Sequence, residues 1–342
     1  MLITSRIVAP DQHPYHVITL RNNCGMQVKV TDWGATLLSV IVPVQGKLRE
    51  TLCSCPLSQL ANNQAYLGAT IGRFANRINQ GKFRLNGYTQ HIVKNQQNRH
   101  TLHGGKGFDQ RRWQIEQVND NKVTLSLFSA DGDQGFSGNL SVQATYQLMA
   151  DNRLVLTLTA VSDQDTALNL TNHAYFNLDG HLSDVRQHQL QLFADYYLPV
   201  DPQGIPNRPL TKVENSHFDF RQPKKIAQDF LQDNDQQAVG GYDHAFLLQG
   251  KLGELKPAAK LTSASGDLTL LFSTNQAAVQ VYTGNFLAGN PSHSGIYQNH
   301  QAIALEPEAL PDAPNHPEWY QYGGIQKANR RYQHQIVYQF LD

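Results

Sequence analysis

The segment Ser141-Val142-Gln143-Ala144-Thr145-Tyr146-Gln147-Leu148 alternates between apolar and polar residues. The turn Ala150-Asp151-Asn152-Arg153 separates it from a second segment, Leu154-Val155-Leu156-Thr157-Leu158-Thr159, which is also rich in apolar residues at every other position. A period of two residues belongs to a β-strand with one buried face. The two segments and their turn therefore predict an antiparallel hairpin, and this is the clearest fold signal in the chain.

The same period recurs on both sides of this hairpin. Asn86-Gly87, the favoured pair for a type I′ turn, predicts another hairpin. Further strands are predicted at 26–31, 123–128, 190–193, 268–272, 279–282 and 335–340. Helical patterns are few, at 57–67 and 224–231. We therefore predict an all-β protein, a large many-stranded antiparallel β-sandwich with few short helices. Because no Gly/Ser linker or charged tract divides the chain, residues 1–342 are predicted to form a single domain.

Composition narrows the function classes. The 342 residues contain 28 Lys and Arg against 28 Asp and Glu, so the net charge is zero and a nucleic-acid partner is not expected. Apolar runs stay far below the roughly 20 residues of a membrane span, so no membrane partner is expected. The start Met1-Leu2-Ile3-Thr4-Ser5-Arg6 does not resemble a signal peptide, and three cysteines without metal-type spacing are typical of reduced thiols. We expect a cytoplasmic protein that acts as a monomer.

Two polar islands interrupt the strands in the first half of the chain. The first is Gly72-Arg73-Phe74-Ala75-Asn76-Arg77, with Leu102-His103-Gly104-Gly105 nearby. Its guanidinium groups suit sugar hydroxyls, although an arginine that ties loops together through backbone carbonyls would give the same pattern. The second island is Thr171-Asn172-His173-Ala174-Tyr175-Phe176-Asn177. An aromatic ring beside His173 offers an apolar face to a pyranose, whereas a satisfied core histidine is the alternative.

A third island begins with Glu306, which ends the apolar run Ala302-Ile303-Ala304-Leu305 and precedes Pro311-Asp312-Ala313-Pro314-Asn315-His316-Pro317. A buried carboxyl group is costly unless it is paired or functional, and burial raises its pKa toward the range that a general base needs. Glu308 would share the face of Glu306 if the strand continued, but Pro307 argues against that continuation.

The remaining candidates are Asp243, beside an aromatic residue ahead of a strand, and Gln280, within a strand. His100 and His103 form a weak H-x-x-H metal pattern, but a strand or loop does not place both rings on one face, so no metal is expected. Nucleotide and cofactor motifs are missing as well, so no cofactor is expected.

In order along the chain, these islands resemble the aldose 1-epimerases, also called galactose mutarotases, especially those of bacterial sugar catabolism. The resemblance also rests on Gly241-Tyr242-Asp243-His244 and Tyr282-Thr283-Gly284-Asn285-Phe286. It implies a β-supersandwich with an open cleft for a free hexose such as galactose or glucose. One departure is Ile325-Gln326-Lys327-Ala328-Asn329-Arg330-Arg331, where many relatives have an Arg-Pro-Gly turn, so the loop 320–331 is not predicted.

The resemblance also implies residue roles. His173 would be the acid and Glu306 the base that open and reclose the hemiacetal ring, and His103 the second catalytic histidine. The implied sugar contacts are Asn76, Arg77, Arg73, Tyr175, Asp243 and Gln280. Three alternatives stay open at this point: a glycosidase that pairs Glu306 with Asp243, an epimerase of hexose 6-phosphates, and a non-catalytic carbohydrate-binding β-sandwich.

Overall fold

The computed structural model describes residues 1–180 and 183–342. The strands of the first half, in chain order, are β1 Leu2–Val8, β2 Pro14–Arg21, β3 Gln27–Thr31, β4 Leu37–Val44, β5 Lys47–Glu50, β6 Leu52–Cys53, β7 Thr70–Ile71, β8 Arg77–Ile78, β9 Lys82–Leu85, β10 Tyr88–His91, β11 Thr101–Leu102, β12 Gln114–Val118, β13 Lys122–Ser129, β14 Leu140–Leu148, β15 Arg153–Ser162 and β16 Thr166–Leu168.

The strands of the second half are β17 Thr171–Asn172, β18 Tyr175–Phe176, β19 Gln189–Leu192, β20 Ala194–Tyr197, β21 Thr211–Lys212, β22 Lys224–Lys225, β23 Asp243–Leu248, β24 Lys256–Thr262, β25 Thr269–Thr274, β26 Ala278–Tyr282, β27 Pro291–Ser292, β28 Gly295–Ile296, β29 Ile303–Glu308, β30 Gly324–Gln326 and β31 Tyr332–Leu341. The described residues also include the α-helix α1 Asn234–Ala238 and 3-10 helices at Leu57–Asn62, Asn79–Gly81, Phe108–Gln110, Asp133–Gly135, Val185–Gln187, Ile226–Asp229, Ala313–Asn315 and Pro317–Tyr322.

Three antiparallel sheets form the body of the described chain. Their strand orders are β1-β2-β3-β4-β5, β12-β13-β14-β15-β31-β25-β24-β19-β22, and β21-β20-β23-β26-β29-β18-β6. One hydrophobic core takes side chains from all three, among them Val40, Leu156 and Leu305. The prediction of a large antiparallel β-sandwich with few short helices is confirmed.

The hairpins predicted from local sequence are present. β14 and β15 pair from Leu140–Ser162 to Leu148–Leu154, and their side chains alternate between buried and more exposed positions. Asn86 and Gly87 both have positive φ, 51° and 85°, as a type I′ turn between β9 and β10 requires. In these segments the period of two residues was sufficient to place the strands.

Both predicted helices are shorter in the structure than the sequence pattern indicates. Leu57–Asn62 is a 3-10 helix. Lys224 and Lys225 pair with β19 at the edge of the nine-stranded sheet, and only Ile226–Asp229 forms a 3-10 helix. Sheet pairing therefore overrides the local helical pattern. Among the described residues, every helix falls short of the length and apolarity that crossing a membrane requires.

The expectation that Pro307 ends its strand is wrong. β29 continues to Glu308, and Pro307 lies opposite Val279 of β26. On the other side of β29, β18 pairs only with Ile303 and Ala304. Among the described strands, none pairs with one edge of β29 at Pro307, and sheets tolerate proline at such edges. As a result, Glu306 and Glu308 lie on the same face of the sheet.

The loop 320–331, which the sequence does not predict, begins within the 3-10 helix Pro317–Tyr322. Its residues Gly324–Gln326 form β30, which pairs with β16. The turn that follows is held at Asp165, which accepts hydrogen bonds from the Lys327 side chain and from the backbone N–H of Ala328.

Candidate active site

The seven-stranded sheet has two faces of opposite character. Toward the main core it presents apolar side chains, namely Phe176, Phe246, Val279, Val281, Ile303 and Leu305. Because successive strand residues point to opposite sides, the alternate positions Tyr175, Asp243, Gln280, Glu306 and Glu308 share the other face. The same period of two residues that builds the core thus also brings together polar residues from four strands.

A cavity of about 360 Å³ lies over this second face. Its lining residues are Gln64, Ala65, Tyr66, Asn76, Arg77, Leu102, His103, His173, Tyr175, Asp243, Gln280, Tyr282, Phe286, Ala288, Asn290 and Glu306. Eight of the nine site residues expected from the sequence lie in this set. A larger hollow of about 640 Å³ beside Trp33 shares Gln64 and Tyr66 with the cavity, so size alone does not identify the site. The chemistry of the lining residues does.

Glu306 and His173 form the centre of the cavity. Nε2 of His173 lies 3.4 Å from Oε1 of Glu306, and both side chains are almost fully buried. Oε2 of Glu306 and Nδ1 of His173 are buried and have no hydrogen-bond partner among the residues that the structure describes. Burial raises the pKa of Glu306 well above its usual range and lowers the pKa of His173 to about 3. Both shifts favour the uncharged forms of the pair, a carboxylic acid beside a neutral imidazole.

His103 is held in one tautomer by Asn76. The backbone N–H of Asn76 donates to Nδ1 of His103 at 3.1 Å, and the backbone N–H of His103 donates to the carbonyl oxygen of Asn76. Burial also lowers the pKa of His103 well below its usual value, so the ring is neutral. A neutral ring that accepts at Nδ1 carries its hydrogen on Nε2. His103 is therefore a hydrogen-bond donor through Nε2.

The backbone around this pair is unusual. Asn76 and His103 have φ values of 63° and 52°, in the left-handed region that residues with side chains seldom occupy. Gly104 follows, and a Cβ atom there would lie 2.3 Å from the carbonyl oxygen of Gly72. The glycine after His103 therefore allows the two loops to approach closely. Strained backbone of this kind persists where the surrounding structure enforces it, which is common at functional sites.

A polar row continues from Arg77 to Gln280. The guanidinium of Arg77 donates to Oε1 of Gln96 and Oδ1 of Asn76, and its Nη2 lies 3.8 Å from Oδ2 of Asp243. Nε2 of Gln280 donates to Oδ1 of Asp243 at 2.6 Å. Gln280 lies directly opposite Glu306 in the strand register. The row therefore ends beside the carboxyl group at the centre of the cavity.

The loop 198–206 supports Arg77 from outside the sheet. Gly204 has φ of 78°, and a Cβ atom at that position would lie 2.6 Å from Cζ of Arg77. Oε1 of Gln203 lies 2.8 Å from Nε2 of His100. The other ring nitrogen of His100, Nδ1, accepts from the backbone N–H of Gln80. The ring of His100 is thus used for loop contacts.

The expectation that Arg73 contacts the sugar is corrected by the structure. All five N–H donors of its guanidinium are used: Nε donates to the Ser129 hydroxyl, and the two Nη atoms donate to the backbone carbonyls of Ser129, Ala130, Ser137 and Gly138. Arg73 is buried and is not among the cavity-lining residues. It ties together the loops near β13 and β14, and no donor is left for a ligand.

Aromatic rings enclose the two histidines. The ring of Tyr175 stacks on His173 with centroids 4.8 Å apart. Tyr66 contacts His103 edge-on at 4.6 Å and stacks on His173 at 5.9 Å. Sequence reasoning missed Tyr66, whose signal was an isolated aromatic residue in a polar stretch. It also missed Phe286, an exposed ring at the rim of the cavity that belongs to one of the quoted motifs.

The donor set also bears on metal binding. One ligand atom each from His103, His173 and Glu306 would fit within 4.8 Å of the others. However, Asn76 occupies the lone pair of Nδ1 on His103, and the proton on Nε2 occupies the other position. Binding a metal through His103 would require the ring to lose that proton. The arrangement therefore favours hydrogen bonding over coordination.

Comparisons with known proteins point to one family. The family model described as aldose 1-epimerase matches residues 16–339. An aldose 1-epimerase of Haemophilus influenzae is 53% identical over 343 residues, covering 99% of this chain and 100% of the relative, and one of Escherichia coli is 49% identical, covering 100% and 99%. The solved structure of a galactose 1-epimerase from Lactobacillus acidophilus is similar with a TM-score of 0.86 at 30% identity, covering 100% of this chain and 98% of that one.

Proposed function

Because this chain belongs to the aldose 1-epimerase family and interconverts the anomers of aldose sugars, we propose that Glu306 and His173 perform the proton transfers of that reaction and that His103 assists them. The observation that carries this proposal is the buried contact of 3.4 Å between the carboxyl group and the imidazole. An acid and a base side by side can address the two oxygen atoms that share the anomeric carbon.

Ring opening moves one proton at each of these oxygens. The Glu306 carboxylate removes the proton of the C1 hydroxyl, the C1–O5 bond breaks with its electron pair going to O5, and O5 takes a proton from the His173 imidazolium. The products are an open-chain aldehyde, a neutral carboxylic acid and a neutral imidazole. After rotation about C1–C2, His173 removes the proton from O5, O5 attacks C1, and Glu306 returns a proton to the carbonyl oxygen. Each well-placed acid or base typically contributes about 10²–10⁴-fold.

The protonation states of the pair are consistent with this cycle. A carboxylate beside an imidazolium contains the same single proton as a carboxylic acid beside a neutral imidazole. Burial favours the neutral arrangement, as the raised pKa of Glu306 and the lowered pKa of His173 indicate. When the sugar ring is open, the pair is therefore in the neutral arrangement, which burial in the pocket favours.

His103 would act as a fixed donor. Its Nε2–H can donate to the oxygen that becomes the carbonyl oxygen and can stabilise the negative charge that develops there. Because Asn76 fixes the tautomer before a sugar binds, this donor needs no reorganisation during the reaction. Because Nδ1 of His103 already accepts from Asn76, this ring has no free lone pair with which to take up a proton.

The polar row would bind the remaining hydroxyl groups. We propose Arg77, Asn76, Asp243 and Gln280 as sugar contacts, and Tyr175 as a further contact that also orients His173. Asp243 lies within reach of both Arg77 and Gln280, so its carboxylate is paired before a sugar binds. Such a residue suits hydroxyl recognition better than the second catalytic role of a glycosidase.

The proposed substrates are free hexoses such as galactose and glucose, without a cofactor. Arg77 is the one Lys or Arg among the described residues that line the cavity, and Asn76 and Asp243 already contact it. A hexose 6-phosphate would call for additional cations. We also propose a single domain and a monomer, because one core takes residues from all three sheets and one chain supplies the whole cavity. A cytoplasmic location stays a proposal that rests on the composition.

Substitution of the pair tests the assignment. Glu306→Gln keeps the size of its side chain, His173→Asn keeps a polar side chain, and each removes a proton transfer, so each should lower kcat for galactose by at least about 100-fold. Polarimetry on freshly dissolved α-galactose measures the rate, and calorimetric titration measures galactose binding, which should change far less. Glu214→Gln, an exposed position outside the cavity, is the matched control. Near-normal relaxation in either pocket variant would contradict the proposal.

A further inference from the structure

Glu308 is a buried carboxyl group that the reaction described above does not use. It is fully buried at the end of β29, and its Oε1 accepts a hydrogen bond of 2.9 Å from Nδ2 of Asn76. Its Oε2 is buried and has no hydrogen-bond partner within the described parts of the chain. A buried, half-satisfied carboxyl group is costly, so its retention calls for an explanation.

The hydrogen-bond partner of Glu308, Asn76, contacts two residues of the pocket. With Nδ2 directed at Glu308, Oδ1 of Asn76 faces Arg77 and accepts from its backbone N–H at 2.9 Å and from Nη1 at 3.3 Å. The backbone N–H of the same residue donates to Nδ1 of His103. Glu308 therefore orients the amide of Asn76, and Asn76 orients both the guanidinium of Arg77 and the ring of His103.

Glu308 also acts on Glu306 through its charge. The two residues are separated by one position on one strand, so their Cα atoms are roughly 6.6 Å apart and their side chains share a face. The other charged or titratable groups that face Glu308 are Arg77, Asp243 and Tyr332. Among the described residues, Arg77 is the cation that faces these carboxyl groups, and Glu308 acts on Glu306 as a like charge at short range.

The pKa values of Glu308 and Glu306 reflect this arrangement. Burial raises the pKa of Glu308 to about 8, against the opposing effect of its hydrogen bond from Asn76. Burial also raises the pKa of Glu306, and the neighbouring Glu308 raises it further. Once Glu308 is ionised, its negative charge therefore opposes the ionisation of Glu306 and holds the proton of the Glu306 and His173 pair in place.

On the basis of the roles proposed above for His103 and Glu306, we propose that Glu308 is a positioning residue of the epimerase reaction, which fixes His103 and Arg77 through Asn76 and restrains the ionisation of Glu306 through its own charge. Nothing in this role requires contact with the sugar, and Glu308 is not among the residues that line the cavity.

The first experiment separates charge from shape. Glu308→Gln keeps the acceptor for Asn76 and the side-chain volume but never becomes negative. Its kcat at pH 7 should stay within about threefold of the parent, because Glu308 is mostly protonated there. The alkaline limb of the kcat profile should move to lower pH by roughly one to two units, the size of a like-charge interaction at this separation. Glu214→Gln, the exposed control, should leave the limb in place.

The second experiment removes the positioning contact. Glu308→Ala leaves Nδ2 of Asn76 without its acceptor, so kcat should fall at least about tenfold while Glu308→Gln retains it. In ¹⁵N NMR of the imidazoles, the Nε2–H tautomer of His103 should be the single form in the parent and in Glu308→Gln, and should be mixed in Glu308→Ala. If Glu308→Ala does not fold, Glu308→Gln still decides the question through its pH profile.

The outcomes distinguish this proposal from the catalytic assignment. Parental kcat, pH profile and His103 tautomer in the folded Glu308 variants would overturn the positioning role and would leave the roles of Glu306 and His173 intact. Full activity of Glu306→Gln would instead remove the catalytic assignment. A shifted alkaline limb in Glu308→Gln together with inactive Glu306→Gln supports both.

Discussion

The outer faces of the two largest sheets follow the same two-residue period and have opposite fates. On the nine-stranded sheet, β14 and β15 alternate between buried residues and positions that are partly or fully exposed. On the seven-stranded sheet, all six residues of β29 are buried, because the second face is covered by the loops that enclose the cavity. An outward polar residue on the first sheet meets water, whereas one on the second must find a partner or a function.

This difference explains where the chemistry lies. Polar groups facing water cost little and do little to perturb a pKa. The polar groups of the seven-stranded sheet lie in a low-dielectric site, where desolvation raises the pKa of Glu306 and Glu308 and lowers that of His173. Covering one face of an ordinary sheet is enough to turn strand residues into acids and bases.

The largest expected effect concerns the core under the nine-stranded sheet. Leu156 is fully buried in the middle of β15, so Leu156→Ala should lower the free energy of unfolding by about 2–5 kcal/mol. Its neighbour Thr157 points to the outer face, and Thr157→Ala should cost about 1 kcal/mol or less. Urea denaturation measures both. The activity per folded molecule should not change in either variant, and equal losses of stability would contradict the two-face description.

Arg73 and Arg77 lie four residues apart and allow a supporting residue to be compared with a residue that lines the cavity. Arg73→Met removes the guanidinium donors from four backbone carbonyl oxygens and should lower the free energy of unfolding by about 2 kcal/mol with KM unchanged. Arg77→Met should lower kcat/KM for galactose by about tenfold with a smaller loss of stability. Each variant is the control for the other, with thermal melting and polarimetry as the measurements. The reverse pattern would mean that the two roles are misassigned.

The smallest expected effect is a pH dependence in the scaffold. His334 is buried between the Thr274 hydroxyl and the carbonyl oxygen of Leu170, and burial lowers its pKa to about 4. The unfolded chain takes up this proton near pH 6.5 and the folded chain does not, so stability is lost as the pH falls below 6.5. Between pH 7.5 and 5.5 the loss from this residue should be about 1 kcal/mol.

Denaturation of His334→Gln at the two pH values measures this contribution. The variant will be less stable at pH 7.5, but its disadvantage should shrink by about 1 kcal/mol at pH 5.5. His91→Gln, at an exposed position, should retain the parental pH dependence. An unchanged slope in His334→Gln would show that the buried ring is protonated in the folded protein.

Local pattern was sufficient for the scaffold. The hairpins around Asn86-Gly87 and between β14 and β15 depend on neighbours in sequence, so the alternation and the turn residues determine them. The predictions that were wrong lie where tertiary contacts override the local preference for secondary structure. Lys224 and Lys225 join a sheet edge, and Pro307 continues a strand because one side of β29 lacks a partner there.

For the same reason, the sequence predicts the site only in part. His173 and Glu306 stand out as polar residues beside apolar strands, but their adjacency depends on pairing between β18 and β29, which no local pattern encodes. Arg73 and Arg77 carry the same donors, and only the position of the loop carbonyls decides that one supports and the other faces the cavity. Tyr66 comes to the histidines from a loop more than a hundred residues before His173, so its role has no local signal.

The lack of a side chain at Gly204 affects how this protein responds to heat. The guanidinium of Arg77 rests against a loop that enters from outside the sheet, and a single methyl group at position 204 would displace it. Loops of this kind open locally at a lower free energy than strands in a core. On warming, the affinity for the sugar is therefore expected to fall before the β-sandwich itself unfolds.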